Sequence, residues 1–213
     1  MVSFQTKYRG RDVPIPSRQI DLAAEKLSAR NLERLAVSAE LEMRKYMNRV
    51  ATALIARHSR PWSWGYRGPD LQKRSGKGLA SIKNFIVQRK GPGVTGHIRL
   101  NSYMAVHEHG AIIRAKRAQY LTIPLEAALN SNGTPKKRSA REWTNTFIIR
   151  SKRGNLLICQ RRGRQIVPLY VLKKTVRLRA RLGLRRELSR QRPEFRRALL
   201  ERIRELAKTQ RKR

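Results

Sequence analysis

His107, Glu108 and His109 are the side chains best suited by type to bind a metal ion or to transfer a proton. In a helix, two histidines that are two positions apart point in different directions, so the spacing does not match the helical H-E-x-x-H motif of zinc enzymes. In a strand they would share a face, yet no cluster of cysteines or acids elsewhere in the sequence offers a third ligand. We therefore predict no metal site.

Other motifs of catalytic chemistry are incomplete. Gly76-Lys77-Gly78 lacks the upstream glycine and the following Ser or Thr of a phosphate-binding P-loop. The acids outside the two helical ends of the chain are few and stand alone, so no carboxylate pair is present for hydrolysis or two-metal phosphoryl transfer. Arg, His and Tyr residues of a recombinase-like set occur without an ordered motif. The sequence predicts no catalytic residues, no cofactor and no enzyme.

Positive charge dominates the composition. The 213 residues include 50 Lys and Arg against 14 Asp and Glu, which gives a formal net charge of +36. Such an imbalance opposes compaction and is best explained by a polyanionic partner, most commonly nucleic acid. No apolar run is long enough to span a membrane, and an anionic membrane surface would find no hydrophobic anchor. The only cysteine, Cys159, lies in an apolar run and is predicted to be buried in a strand, in a protein made in a reducing cytoplasm.

The hydrophobic pattern divides the chain into three parts. Residues 1–16 are polar and basic, with prolines near their end, which predicts an extended arm. Residues 17–172 contain helical and strand-like patterns, which predict an α+β body. Residues 173–213 are rich in arginine and keep apolar residues at helical spacing, which predicts a basic helical C-terminal extension. Within this extension Pro193 is expected at the first turn of a final helix, Pro193 to Lys208.

The body is expected to pair one long helix with a sheet. Apolar residues recur every three to five positions from Ile20 to Leu54, which predicts an N-terminal helix that ends before Pro61. Its acids either meet a basic face of a neighbouring copy or form local pairs on the same helix. Lys152-Arg153-Gly154, between two strand-like runs, predicts a β-hairpin with a basic tip, and residues 161–165 form a second basic turn. We expect a mostly antiparallel sheet with strands near residues 82–89, 94–100, 119–123, 144–150 and 155–161.

An aromatic loop connects the helix to the rest of the body. Trp62, Trp64 and Tyr66 alternate with small residues and are flanked by arginines. These residues form a contact with another subunit, since Trp, Tyr and Arg are favoured interface anchors, or they stack on nucleic-acid bases. The third alternative is a loop that lies over its own core.

Glu108 is the only acid between Asp70 and Glu126, in a segment rich in Lys and Arg. A lone carboxylate among so many cations is expected to be ion-paired or to accept several hydrogen bonds. We therefore predict that Glu108 is structural, buried by Tyr103 and Val106 and paired with a nearby arginine, and that Gly110 belongs to the same structural motif.

The order of several motifs resembles the tail-completion, or neck, proteins of tailed bacteriophages. That family has roughly a TG-x-L-x-x-S-I element followed by Y-x-x-x-x-E-x-G. Here Ser75 stands in place of the usual Thr, and Lys77-Gly78 adds one residue before Leu79. The runs at residues 120–125, 147–159 and 167–178 are similar in order and character to the second half of the family, so the resemblance covers residues 71–178. The residues that carry its first half are Ser75, Gly76, Leu79, Ser81, Ile82, Tyr103, Val106, Glu108 and Gly110.

The resemblance implies a structural protein of the virion that helps to join the DNA-filled head to the tail. Several copies would form a ring between the head-closure and tail-terminator proteins, with the tape-measure protein as a further candidate partner. The protein would be located at the head-tail junction, and in the host cytoplasm during assembly. A general nucleic-acid-binding protein, associated with the nucleoid or with RNA, is the alternative that the charge supports equally.

A neck protein would hold the end of double-stranded DNA whatever its sequence, so its contacts are expected to go to phosphates. Arginine suits this role because its planar fork grips phosphate through two hydrogen bonds. The residues expected to bind DNA in the C-terminal extension are Arg177, Arg179, Arg181, Arg185, Arg186, Arg190, Arg196 and Arg197. A second patch comprises Lys136, Lys137, Arg138, Lys152 and Arg153.

Overall fold

The computed structural model describes residues 4–8, 11–14, 18–91 and 93–211. The chain forms two compact units: residues 1–57, 79–101 and 183–213 form unit 1, and residues 58–78 and 102–182 form unit 2. The helices are α1 (Arg18–Ala24), α2 (Ala29–Arg57), α3 (Lys77–Lys83), α4 (Ser102–His109) and α5 (Leu184–Arg211). The strands are β1 (Phe4–Tyr8), β2 (Arg11–Pro14), β3 (Phe85–Lys90), β4 (Gly93–Ile98), β5 (Ala111–Arg114), β6 (Leu121–Pro124), β7 (Thr146–Arg150), β8 (Leu156–Arg162), β9 (Gln165–Lys173) and β10 (Thr175–Leu178).

Two long antiparallel helices, α2 and α5, form the centre of unit 1. Near one end of the pair, the Asn31 side-chain amide donates to the backbone oxygen of Leu206 at 3.3 Å. Farther along, the Tyr46 hydroxyl donates to the backbone oxygen of Leu188 at 2.7 Å, and the Tyr46 ring lies 5.2 Å from that of Phe195. Both rings are almost completely buried, so the apolar stripes predicted on the two helices are packed against each other.

A four-stranded sheet in the order β2-β1-β4-β3 completes unit 1 and contacts α2. The pairing of β1 with β4 is parallel, and the other two pairings are antiparallel. Gly96 on β4 lies so close to α2 that an added Cβ would stand 3.1 Å from the sulfur atoms of Met43 and Met47. Even an alanine at position 96 would therefore require these two methionine side chains to shift.

Unit 2 contains a four-stranded antiparallel sheet in the order β6-β9-β8-β7 and a separate two-stranded sheet of β5 and β10. Its buried cluster centres on Ala128, Leu169 and Tyr170. The Trp143 indole nitrogen donates to the Tyr170 hydroxyl at 3.0 Å, which satisfies both polar groups beside the cluster. Cys159 on β8 is buried, as predicted.

The predicted fold class is confirmed: the chain is α+β, a long helix near the N-terminus packs on a sheet, and a long C-terminal helix carries the arginines. The predicted hairpin with Lys152 and Arg153 at its tip is also confirmed, as β7 and β8. The strands form three sheets among the described residues, however, rather than one.

Three local predictions need correction in detail. The segment expected to be an extended arm is extended in its described residues, but these are the paired strands β1 and β2; the rest of residues 1–16 lies outside the described residues. The single N-terminal helix is two helices, because the chain turns at residues 25–28. Residues 82 and 83, expected in a strand, belong to α3, since a short apolar run fits helix and strand equally well.

The fourth correction concerns Pro193, which lies inside α5 rather than at the start of a separate helix. A proline within a helix costs about 3 kcal/mol because it lacks an N–H group and crowds the preceding turn. Here the exposed Pro193 lies away from the buried stripe that holds α5 on α2. The packing of that stripe before and after Pro193, through Leu188 and Phe195, offsets the local cost.

Candidate nucleic-acid interface

The exposed face of α5 carries a row of six cations. Each residue of an α-helix is rotated by about 100° from the one before, so sequence position fixes the side of the helix on which a residue lies. The buried residues of α5 lie on one side and are Leu184, Glu187, Leu188, Phe195, Leu199, Ile203 and Leu206. The opposite side carries exposed cations at a spacing of three, four or seven positions. These residues, named here the α5 row, are Arg186, Arg190, Arg197, Arg204, Lys208 and Arg211.

The α5 row is long enough to follow a polyanion. Its ends, Arg186 and Arg211, are 25 positions apart in the sequence, which corresponds to roughly 37 Å along the helix axis at about 1.5 Å per residue. Glu201 is an exposed acid at the edge of the row, and its negative charge reduces the positive electrostatic potential there. Lys208 and Arg211 lie in the last turn, where their charges also favour the helix dipole.

Most of the α5 row is not neutralised within the chain. Arg190 forms an ion pair with Glu187, with 2.8 Å between its Nη2 and the carboxylate Oε1. Glu187 also accepts a hydrogen bond from the side-chain amide of Gln191 at 2.9 Å. No carboxylate of the described residues lies within ion-pair distance of Arg186, Arg197 or Arg204. These three guanidinium groups therefore retain their capacity to bind an anion from outside.

The α5 row contains three of the arginines predicted to bind DNA: Arg186, Arg190 and Arg197. Arg185 and Arg196 lie on one flank of the helix and make other interactions within the chain. Arg196 is half-buried, and its Nε atom is inaccessible to solvent. The structure therefore does not place these two residues in the row.

Sequence reasoning missed Arg204, Lys208 and Arg211. A signal was present, because Arg190, Arg197, Arg204 and Arg211 recur every seven residues, which keeps a helical residue on nearly the same side. The assumption that the helix starts at Pro193 separated Arg190 from the later members and concealed the repeat.

The three remaining arginines of the first predicted group belong to unit 2 and not to α5. Arg177 is exposed on β10, where it is paired in register with Ile112 of β5. Arg179 is exposed in the segment that follows β10. Arg181 is half-buried, and its backbone N–H donates to the backbone oxygen of His107 at 2.7 Å. The structure thus divides the predicted group between the two units.

The second predicted patch lies on two exposed segments of unit 2. Lys152 and Arg153 occupy the tip of the β7–β8 hairpin, whose turn includes Gly154 at φ +77°. Lys136, Lys137 and Arg138 are exposed in the loop before β7. The Lys136 ammonium donates to the backbone oxygen of Ala127 at 3.0 Å, so part of its hydrogen-bonding capacity is already used.

The aromatic loop packs mostly on its own unit. Trp62 is half-buried, and its indole lies where a Cβ on Gly133 would be, 2.4 Å from the nearest ring atom. The Arg60 guanidinium lies 4.9 Å from the centre of the Tyr66 ring. Trp64, by contrast, is 46% exposed. Of the three alternatives, these contacts support packing on the body of the same chain for Trp62 and Tyr66. Trp64 remains as the exposed aromatic side chain that a partner could contact.

Residues 103–110 form α4 and the turn that follows it. Tyr103 is 47% exposed and the buried side chain of this helix is Met104, so the burial of Glu108 by Tyr103 and Val106 stays a prediction. Glu108 is half-buried and makes an interaction within the chain. Gly110 has φ +72°, and a Cβ there would stand 2.9 Å from the backbone oxygen of Leu178. Gly110 is therefore required by the backbone, which agrees with its expected structural role.

Two histidines of unit 2 are held away from solvent. Nδ1 of the buried His58 accepts a hydrogen bond from the backbone N–H of Leu71 at 3.1 Å, so Nε2 carries the proton that is donated to the Leu182 oxygen at 3.0 Å. The pKa of His107 is lowered by burial and, secondarily, by the positive charge of Arg181. Across the part of the chain that the structure describes, no group of three or more His, Cys, Asp or Glu residues is arranged to hold a metal ion.

Three of the acids on the N-terminal helical segment form ion pairs within unit 1. Glu40 pairs with Arg44 at 2.8 Å and Glu42 pairs with Lys45 at 2.8 Å, both on α2, while Glu33 pairs with Arg89 of β3 at 3.1 Å. These contacts favour pairing within the chain over a contact with a neighbouring copy.

Comparison with known proteins gives no match: no family model, no curated protein and no solved structure is significantly similar to the chain. Among the helices of the described residues, none combines the length and the hydropathy needed to cross a membrane.

Proposed function

We propose that this chain is a structural protein of the bacteriophage neck, or tail-completion complex, that holds DNA through sequence-independent contacts to phosphates. The observation that carries the proposal is the α5 row, in which six exposed cations extend over roughly 37 Å of one helix face. A net charge of +36 adds a long-range attraction for DNA around that row.

The form of the α5 row favours phosphates over base edges. The row consists of arginines and one lysine, which bind phosphate oxygens well and carry little base information without a precise fit to a groove. Because the row lies opposite the stripe that packs on α2, the helix can approach DNA while its own packing stays unchanged. The helix thus offers a continuous line of charges that is indifferent to DNA sequence.

The assignment to the neck is supported by the order of motifs between residues 71 and 178. In this proposal several copies form a ring at the head-tail junction of the virion, between the head-closure and tail-terminator proteins, and the end of the genome lies against the α5 rows. Trp64, exposed on a loop whose ends are joined by the Trp62 N–H to Lys73 oxygen bond of 3.1 Å, is the proposed contact with a neighbouring subunit.

The test is the composition and the image of purified particles. The protein should purify with virions in a fixed number of copies and should appear at the head-tail junction, with DNA within reach of Arg197 and Arg204. A protein found instead with bulk cellular nucleic acid would support the general nucleic-acid-binding alternative. An image in which the α5 row contacts only carboxylates of neighbouring proteins would refute the proposed role in holding DNA.

A further inference from the structure

A cavity of about 480 Å³ opens in unit 2, beside the start of β7 and the turn between β8 and β9. It is lined by Asn145, Thr146, Phe147, Arg161 and Gly163. The cavity is open to solvent: four of its five lining residues are exposed, and Phe147 is half-buried. None of these residues belongs to the surfaces assigned above to DNA or to a neighbouring subunit.

The pairing of β7 with β8 explains why an aromatic ring and a guanidinium meet here. Phe147 is directly opposite Cys159, and Arg161 follows two positions later on the same face of the sheet. The Arg161 guanidinium therefore lies 5.7 Å from the centre of the Phe147 ring, within the range of a cation–π contact. This contact restrains the guanidinium at the cavity and leaves its donors available to a ligand.

The backbone around the cavity is fixed at both ends. Asn145 has φ +54°, a left-handed conformation that asparagine tolerates better than most residues, and its backbone oxygen accepts the Arg161 N–H at 3.0 Å. On the other side, the β8–β9 turn contains Gly163 at φ +57°, followed by the exposed Arg164. The side-chain amide of the exposed Asn145 adds hydrogen-bonding groups to the rim, whereas the Thr146 side chain lies on the opposite face of β7 from Phe147.

The cavity is electropositive. No carboxylate among the described residues lies within ion-pair distance of Arg161 or Arg164. The neighbouring Arg162 lies on the opposite face of β8, because successive residues of a strand alternate, and its Nε donates to Oε1 of Gln160 at 2.8 Å. An anion in the cavity would thus contact Arg161 directly, whereas Arg162 would attract it electrostatically without contact.

We propose that this cavity binds an unpaired nucleotide. The base stacks on the surface formed by Phe147 and the Arg161 guanidinium, its polar edge meets Asn145, and the phosphate lies between the donors of Arg161 and Arg164. A planar ring system and a phosphate on one ligand are what this combination of aromatic, guanidinium and amide groups accommodates. The inference does not rest on the α5 row, which belongs to a different unit of the chain.

The experiment measures binding of thymidine monophosphate to the full-length chain by calorimetry, at an ionic strength of about 0.15 M to suppress general attraction. Arg161→Gln should weaken binding about tenfold or more, because a charge-assisted hydrogen bond is lost. Arg162→Gln is the matched control: it removes the same charge from the next residue and should change affinity less than about twofold. Equal losses in both variants, or no binding by the parent chain, would overturn the proposal. Phe147→Leu, checked for folding by its thermal transition, should weaken binding of the nucleotide more than binding of inorganic phosphate.

A second comparison identifies the source of the nucleotide. A DNA duplex with a short single-stranded overhang is compared with a blunt duplex, each with the parent chain and with Arg161→Gln. A preference for the overhang that disappears in Arg161→Gln supports the unpaired end of a DNA strand as the ligand. A preference for the overhang that Arg161→Gln leaves unchanged rejects the cavity as the site of that preference. Tight binding of the monophosphate, with no preference for the overhang, supports a free nucleotide. Variants of the α5 row should change none of these differences, so failure of the proposed function and failure of this inference are distinguishable.

Discussion

Replacement of Phe195 by alanine tests whether burial against α2 is what holds α5 in place. Phe195 is fully buried, and its ring lies 5.2 Å from that of Tyr46. Alanine has a higher helix propensity than phenylalanine, so any loss of stability comes from packing and not from the helix itself. Truncation of a buried phenylalanine costs about 3–5 kcal/mol, which includes the cavity left behind.

The assay is urea unfolding followed by circular dichroism. With a denaturant slope of about 2 kcal/mol per molar urea, a loss of about 4 kcal/mol lowers the unfolding midpoint by about 2 M. Leu200→Ala is the matched control, since Leu200 is also on α5 but only half-buried, and it should move the midpoint far less. If Phe195→Ala moves the midpoint no more than this control does, the packing account of α5 is wrong.

Three further predictions concern unit 2. Gly110→Ala should lower the free energy of unfolding, measured by chemical denaturation, by about 1–3 kcal/mol. The reason is that φ +72° disfavours any side chain and that the new Cβ would approach the Leu178 oxygen. An unchanged free energy of unfolding would show that the backbone does not require glycine at position 110. The pKa of His107 is lower in the native state than in the unfolded chain, so below about pH 6.5 the unfolded chain binds more protons than the native state. The free energy of unfolding should therefore be at its full value above that pH and decline below it. His107→Gln should reduce this decline, and an identical pH profile in the variant would show that His107 is not its cause. Trp64→Ser should leave the thermal transition unchanged but prevent incorporation into particles. Trp62→Ser removes packing on Gly133 and should lower the transition temperature. An equal lowering of the transition temperature by both substitutions would show that Trp64 is also a core residue.

The sequence predicted the elements whose signals are local. The apolar stripes of α2 and α5 follow the helical period, and the β7–β8 hairpin follows from two strand-like runs around a glycine turn. Strand pairing was predicted less well, because it depends on residues far apart in the chain. The partners β5 and β10 are separated by about sixty residues, and the parallel pairing of β1 with β4 leaves no trace in either strand alone.

The candidate interface was likewise predicted only in part, because local signals were visible in the sequence and the tertiary arrangement was not. The positive charge of the C-terminal region is visible in the sequence, but its arrangement into the α5 row depends on the phase of one uninterrupted helix. The local rule for Pro193 was overridden by packing on α2, and that error concealed half of the row. The exposure of Tyr103 likewise depends on which face of α4 is covered, and this face is selected by tertiary contacts of Met104.

The most direct test of the central claim is the salt dependence of binding to duplex DNA by the full-length chain. Four members of the α5 row, Arg186, Arg197, Arg204 and Lys208, are changed together to glutamine. The control variant changes four exposed cations of unit 2 that lie outside the predicted patches: Arg114, Lys116, Arg117 and Lys174. Each phosphate contact contributes about −0.9 to the slope of log affinity against log salt concentration, so loss of four contacts should flatten the slope by about 3.6. The account predicts this flattening for the row variant on DNA of any sequence, with a much smaller change for the control. Equal changes in the two variants would show that the charge of the chain as a whole, and not the α5 row, binds DNA.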